Sequence, residues 1–114
     1  MILAVIGSRT WNNRKILFEI LDNILGIDEI VSGGAAGADS LAQAYAKERG
    51  KSILIIYPDY GTYNGKIAPL IRNEIIVKKC DLLIAFQTAN SRGAEFTINL
   101  AKNAGKFLKV VKEQ

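Results

Sequence analysis

The residues best suited to chemistry fall in four short stretches. G-S-R-T-W runs from Gly7 to Trp11, S-G-G-A-A-G-A-D from Ser32 to Asp39, and S-R-G-A-E from Ser91 to Glu95; the polar pair Arg72-Asn73 stands among Leu70, Ile71, Ile75 and Ile76. Gly7 lets backbone approach a ligand, Ser8 adds a hydroxyl, and Arg9 offers a planar donor fork that suits phosphate. Trp11 is either a stacking surface for a base or a cover for the sheet edge. Gly33, Gly34 and Gly37 strip side chains from a turn whose free amides, with Ser32, favour an anion, and Ala35 keeps that turn small. Asp39 caps the helix that follows or bonds a ribose hydroxyl. Gly93 and Ala94 open a second amide-rich helix start, with Ser91 and Arg92 as added donors. Arg72 and Asn73 need polar partners in so apolar a setting.

What the chain lacks narrows the chemistry further. It has no histidine, which excludes Ser-His-Asp, Cys-His and His-metal sites. Asp39, Asp59 and Glu95 are dispersed over separate loops, so no metal site and no cofactor is expected. The glycine turn has no following G-K-[ST] and lacks G-x-G-x-x-G spacing, so neither a Walker loop nor a dinucleotide fingerprint is present. A lone Cys80 among apolar neighbours reads as core filling and excludes an internal disulfide framework. The net charge of +4 permits an anionic partner, although the lysines are scattered. The apolar opening Met1 to Ile6 is too short for a signal peptide or a membrane span, which points to a cytoplasmic chain with no membrane partner.

The elements that must position these residues alternate. Apolar runs at residues 2–6, Glu29 to Ser32, Ile53 to Tyr57, Leu82 to Phe86 and Phe107 to Val111 have strand length and no polar alternation. Between them lie helical patterns: Ile16 through Leu25 ending at Gly26, Leu41 through Gly50, a segment through Lys79 with Pro69 near its first turn, and Gly93 to Ala104. Buried strands separated by helices imply a single α/β domain over residues 1–114, a Rossmann-like three-layer sandwich with a five-stranded parallel sheet of order 3-2-1-4-5. In such a sheet a ligand sits beyond the carboxyl ends of strands one and four, where the order reverses.

In that order, GSRTW, VSGGAAGADSLA, PDYGTYNGKIAPLIRN and SRGAEFTI resemble the SLOG superfamily, which joins the DNA-processing protein A fold to the cytokinin-activating LOG enzymes, and in particular its small stand-alone bacterial and phage members. The resemblance implies a Rossmann-like domain that binds nucleotides or nucleotide-derived molecules, ADP-ribose derivatives among them. It places Gly7 to Arg9, Ser32 to Asp39, Arg72-Asn73 and Ser91 to Ala94 at the ligand. The LOG enzymes carry P-G-G-x-G-T-x-x-E, whose glutamate serves N-glycosidic cleavage. Aligned on Gly93, this chain has Ala94 for the threonine and Thr97 for the glutamate. Glu95 stands two positions away, about 200° around a helix, and does not substitute for it.

The resulting expectation is a binding module for a phosphate- and ribose-bearing ligand, acting as sensor, carrier or sequestering protein. Two alternatives stand beside it: a phosphoribohydrolase-like N-glycosidase, and a single-strand nucleic-acid binder, which the charge favours but for which no aromatic stacking row is evident. Related proteins often dimerise, so a homo-oligomer is among the expected partners.

Overall fold

The computed structural model describes residues 1–89 and 93–113. Nine elements alternate along the chain: β1 (Ile2–Gly7), α1 (Arg14–Asp22), β2 (Glu29–Ser32), α2 (Ala38–Arg49), β3 (Ser52–Ile55), α3 (Ala68–Lys79), β4 (Leu82–Gln87), α4 (Gly93–Asn103) and β5 (Phe107–Lys112). All neighbouring strands pair in parallel, in the order β3-β2-β1-β4-β5 expected from the alternation.

Each face of the sheet is covered by two helices. Leu3, Val5, Ile30, Ile84 and Phe86 pack against Leu17, Phe18 and Leu21 of α1 and Ala38, Ala42 and Ala46 of α2. The alanine face of α2 lets that helix approach β1 closely. On the opposite face Ala4, Ile6, Val31, Leu83 and Ala85 meet Ile76 and Val77 of α3 and Ile98 and Ala101 of α4. Cys80 is buried in this second layer, where burial pushes its thiol up from its ordinary range.

Two elements end two or more residues before the sequence expectation. Helix α1 ends at Asp22, one turn before Gly26, because Asn23 closes it: its backbone N–H donates to Ile20 O and its side-chain amide to Glu19 O at 2.7 Å. Leu25 therefore lies outside the helix and exposed. Strand β3 stops at Ile55 and not at Tyr57, because its partner β2 ends at Ser32, where the glycine turn leaves the sheet. Tyr57 is thereby released to the surface. Among the described residues no helix is long and apolar enough to cross a membrane.

Candidate functional site

A cavity of about 320 Å³ opens at the carboxyl ends of β1 and β4. Gly7, Ser8 and Arg9 line it from the end of β1, Ala35 and Asp39 from the start of α2, Arg72 and Asn73 from α3, and Ala94 from α4. Sequence reasoning missed Pro69, Leu70, Ile76 and Thr97, which complete the lining with Ile6. Thr97 was visible as the residue in the glutamate's place, and its helical spacing of three from Ala94 was the signal that it shares Ala94's face.

Ser8 holds the loops together. Its N–H donates to Phe86 O at 2.8 Å, its carbonyl accepts from Trp11 N and Ala38 N, and its Oγ accepts from Thr88 N at 2.9 Å. Strand β1, the start of α2 and the end of β4 thus converge on one residue beside the cavity.

The glycines of the turn after β2 face protein. A Cβ on Gly33 would stand 2.5 Å from Arg72 Nη1, and one on Gly34 would stand 2.7 Å from Tyr57 Cε1. On Gly37, whose φ is +75°, a Cβ would collide with the carbonyl oxygens of Ser8 and Arg9. The bareness of S-G-G-A-A-G-A-D is what lets three other segments close on it. Its amides are also partly engaged, since Asp39 Oδ2 accepts from Ala35 N at 3.1 Å. Ser32 lies fully buried beneath the turn and does not line the cavity.

Arg72 is 8% exposed and ties three segments together. Its Nη1 donates to Gly33 O at 2.5 Å and, at the long distance of 3.5 Å, to Ile56 O; its Nε donates to Asn73 Oδ1 at 2.7 Å. Burial lowers its pKa, Asp39 acts in the opposite direction, and the like charge of Arg9 lowers it further. Arg9 itself is exposed at the mouth and forms no ion pair among the described residues.

Asp39 is 6% exposed, and burial raises its carboxyl above the ordinary carboxylate range. The Ala35 N–H, the Ser32 hydroxyl and the Arg72 charge oppose that shift. The Ser32 hydroxyl faces the carboxylate without reaching hydrogen-bonding geometry, so Ser32 Oγ and Asp39 Oδ1 both lack a partner among the described residues. Thr97 Oγ1 is likewise unpartnered.

Trp11 does not face the cavity. It is 3% exposed, its ring centroid lies 5.2 Å from that of Phe86, and its Nε1 donates to Asn13 O at 3.2 Å. The stacking role read from its position in GSRTW is corrected to a core role, because the loop after Arg9 turns the indole onto the α1 face of the sheet. Ser91 and Arg92 lie outside the described residues. Gly93 begins α4. Glu95 is exposed and sits beside Gln87, Asn99 and Lys102, away from the cavity. Among the described residues no group of three His, Cys, Asp or Glu side chains could hold a metal ion.

The aromatic row that the sequence did not make evident lies in the connection after β3. Tyr57, Tyr60 and Tyr63 are all substantially exposed. Tyr57 packs against Gly34, and the phenol of Tyr60 is near enough to act electrostatically on Arg72. Their spacing of three residues was the available signal. A second cavity, about 440 Å³, lies on the other side of the β1 loop and is lined by Trp11, Asn12, Asn13, Ile16, Thr88 and residues 111–113.

A family model described as YAcAr (YspA, cpYpsA-related SLOG family) matches residues 1–63, from β1 through the tyrosine connection. Among solved structures, DNA processing protein A from Streptococcus pneumoniae superposes with a TM-score of 0.77 at 20% identity, over 98% of this chain and 50% of that one. DNA processing protein A from Helicobacter pylori, in a structure that concerns its single-stranded DNA binding mode, gives a TM-score of 0.76 at 24% identity, over 100% of this chain and 66% of that one. The chain thus spans half to about two-thirds of those proteins, and the likeness is one of fold. No curated protein matches it.

Proposed function

Because this chain belongs to the YAcAr family of SLOG proteins, we propose that its crevice binds a nucleotide unit through the phosphate, and that single-stranded nucleic acid is the form in which the unit arrives. The observation that carries this reading is the pair of guanidinium groups at one cavity. Both Arg9 and Arg72 line it, and the like charge of Arg9 is felt at Arg72, so an anion held between them is favoured. Ala94, in the first turn of α4, adds a helix N-terminus on the same side. The carboxylate of Asp39 directs the phosphate away from the glycine turn and toward Arg9.

Presentation by a strand is supported by the exposed Tyr57, Tyr60 and Tyr63 of the connection after β3, of which Tyr57 packs against Gly34 and Tyr60 acts on Arg72, since aromatic faces stack bases without regard to sequence. The positive net charge agrees with it. The single-stranded DNA binding of the Helicobacter pylori neighbour points the same way. The size of the cavity favours a second reading, a free nucleotide-derived ligand, because about 320 Å³ suits one small molecule. Fluorescence anisotropy with labelled single-stranded oligonucleotides decides between them. The strand reading expects salt-steep binding that weakens when the three tyrosines are replaced by serine. Tight, salt-insensitive binding of mononucleotides with no oligonucleotide binding would establish the second reading in its place.

A further inference from the structure

We infer that Asn64-Gly65 is a self-modification site, at which the Asn64 carboxamide is lost through a cyclic imide to give aspartate and isoaspartate. The reaction needs no ligand and stands apart from the nucleotide reading of the crevice. The backbone nitrogen of Gly65 attacks Asn64 Cγ, the new N–Cγ bond closes the imide ring, and the side-chain nitrogen leaves as ammonia with the Gly65 proton. Water then adds to either carbonyl of the ring and breaks its bond to nitrogen, leaving a carboxylate. Nothing is oxidised or reduced.

The turn before α3 is arranged for that attack. Asn64 and Gly65 are both exposed, and the Gly65 N–H donates to nothing among the described residues. Asn64 Oδ1 accepts from the Lys66 and Ile67 N–H groups, both at 3.0 Å. Because these amides stand two and three residues ahead, they fold the carboxamide back across Gly65. The negative charge that the attack develops falls on Oδ1, so the two N–H groups serve as an oxyanion hole already in place.

Gly65 sets this asparagine apart from the others. Every other described asparagine is followed by a residue with a side chain, which crowds the attacking nitrogen. After Asn13, Asn23 and Asn103 the next N–H is also committed, to Asn12 O, Leu21 O and Leu100 O, while Asn73 and Asn99 lie inside helices. The fold itself does not require glycine at position 65, since its φ is not positive and a Cβ there would meet nothing within 4 Å. The two products differ in what they do to α3. Aspartate keeps a capping oxygen. Isoaspartate routes the main chain through Cγ, so the carbonyl that accepts from Ile67 N and Ala68 N leaves the backbone. That undoes the entry to the helix that brings Pro69, Leu70, Arg72 and Asn73 to the crevice.

The test ages the intact, folded chain without ligand in mildly alkaline buffer and maps the products by peptide mass spectrometry and by enzymatic methyl labelling of isoaspartate. The expected result is conversion of amide to acid at Asn64 ahead of every other asparagine, with isoaspartate in the same peptide. The rate should rise with pH, because the attacking amide must lose its proton. Gly65→Ala, which the open space admits, and Asn64→Ser, which keeps a capping oxygen, are each expected to lose the modification while melting close to the parent. No conversion at Asn64, or conversion there that proceeds equally in Gly65→Ala, overturns the inference. Faster conversion at another asparagine overturns it too. Oligonucleotide binding is no part of the readout, so failure of the nucleotide reading leaves this test intact.

Discussion

The molecule has two cavities beside the same β1 loop, and the larger has the weaker claim to be a site. The cavity near Trp11 measures about 440 Å³ against about 320 Å³ for the crevice. Its polar lining, Asn12, Asn13, Lys112 and Glu113, is exposed and already solvated. The crevice instead removes Arg72, Asp39 and Thr97 from water and leaves two of their oxygen atoms unpaired. Volume is a by-product of how helices meet a sheet. Buried polar groups are costly to place and call for a partner, so they mark the site more sharply than size does.

The largest expected effect comes from breaking the turn that builds the crevice. Gly37 and Gly26 have nearly the same φ, +75° and +78°, but a Cβ at Gly37 meets the Ser8 and Arg9 carbonyls whereas at Gly26 it meets nothing within 4 Å. Gly37→Ala should therefore destabilise by about 3 kcal/mol or more, combining backbone strain with overlap. Gly26→Ala should cost only ~1–2 kcal/mol, the strain alone. Urea melts of the two variants measure the difference. Equal losses would show that the overlap at Gly37 is not what requires glycine there.

Next in size is the separation of the two arginines. Arg9→Ala should weaken binding of a single-stranded oligonucleotide by roughly tenfold or more, as for loss of a charge-assisted hydrogen bond, with no change in melting temperature. Arg72→Lys should lower both, because a lysine cannot serve Gly33 O and Asn73 Oδ1 together. A variant Arg72→Lys that melts lower yet binds normally would make Arg72 a structural tie alone.

These contrasts show what the sequence made legible. The sheet order followed from strand and helix alternating in one small domain, since right-handed crossovers leave few arrangements. The residues at the crevice were found largely because they stand just after strands. What escaped is tertiary. Gly33 and Arg72 are far apart in the chain, so nothing local to S-G-G-A-A-G-A-D told that an arginine side chain would fill the space its glycines leave. Trp11 follows Arg9 by two residues, and only the path of the loop sends one to solvent and the other into the core. The end of α1 escapes the apolar pattern because Ile24 and Leu25 continue its period, while the hydrogen bond that closes the helix comes from Asn23.

A smaller effect isolates the buried charge. The folded pKa of Asp39 is raised, chiefly by burial, so the ionised form is less favourable in the folded protein than in the unfolded chain. Its stability contribution is fully present below the unfolded value, near 3.8, and is lost as pH rises through the folded value. Without ligand, Asp39→Asn should therefore gain melting temperature relative to the parent as pH rises from about that value, and then level off. Asp22 and Asp28 have lowered pKa values from their bonds to Arg49 and to the N-terminus, and they destabilise both proteins alike in acid. The difference between the two curves therefore reports Asp39. A constant offset across the titration would mean that its carboxyl does not ionise over this range.

The smallest expected effect tests the larger cavity directly. Lys112 lines it, is exposed, and belongs to none of the ion pairs among the described residues. If a bound strand passes over the tyrosines and ends in the crevice, Lys112 lies off its path. Lys112→Ala should then change stability by no more than about 0.5 kcal/mol, as for an ordinary surface substitution. It should also leave oligonucleotide affinity within about twofold and the slope of log affinity against log salt unchanged, since each phosphate that the protein ceased to neutralise would reduce that slope by roughly one. A tenfold loss accompanied by a shallower slope would instead place the strand across the β1 loop and join the two cavities into one binding track. The exposure of the second cavity would then reflect its use by a long backbone, and the distinction between a buried, demanding site and an open, idle one would fail at its weaker end.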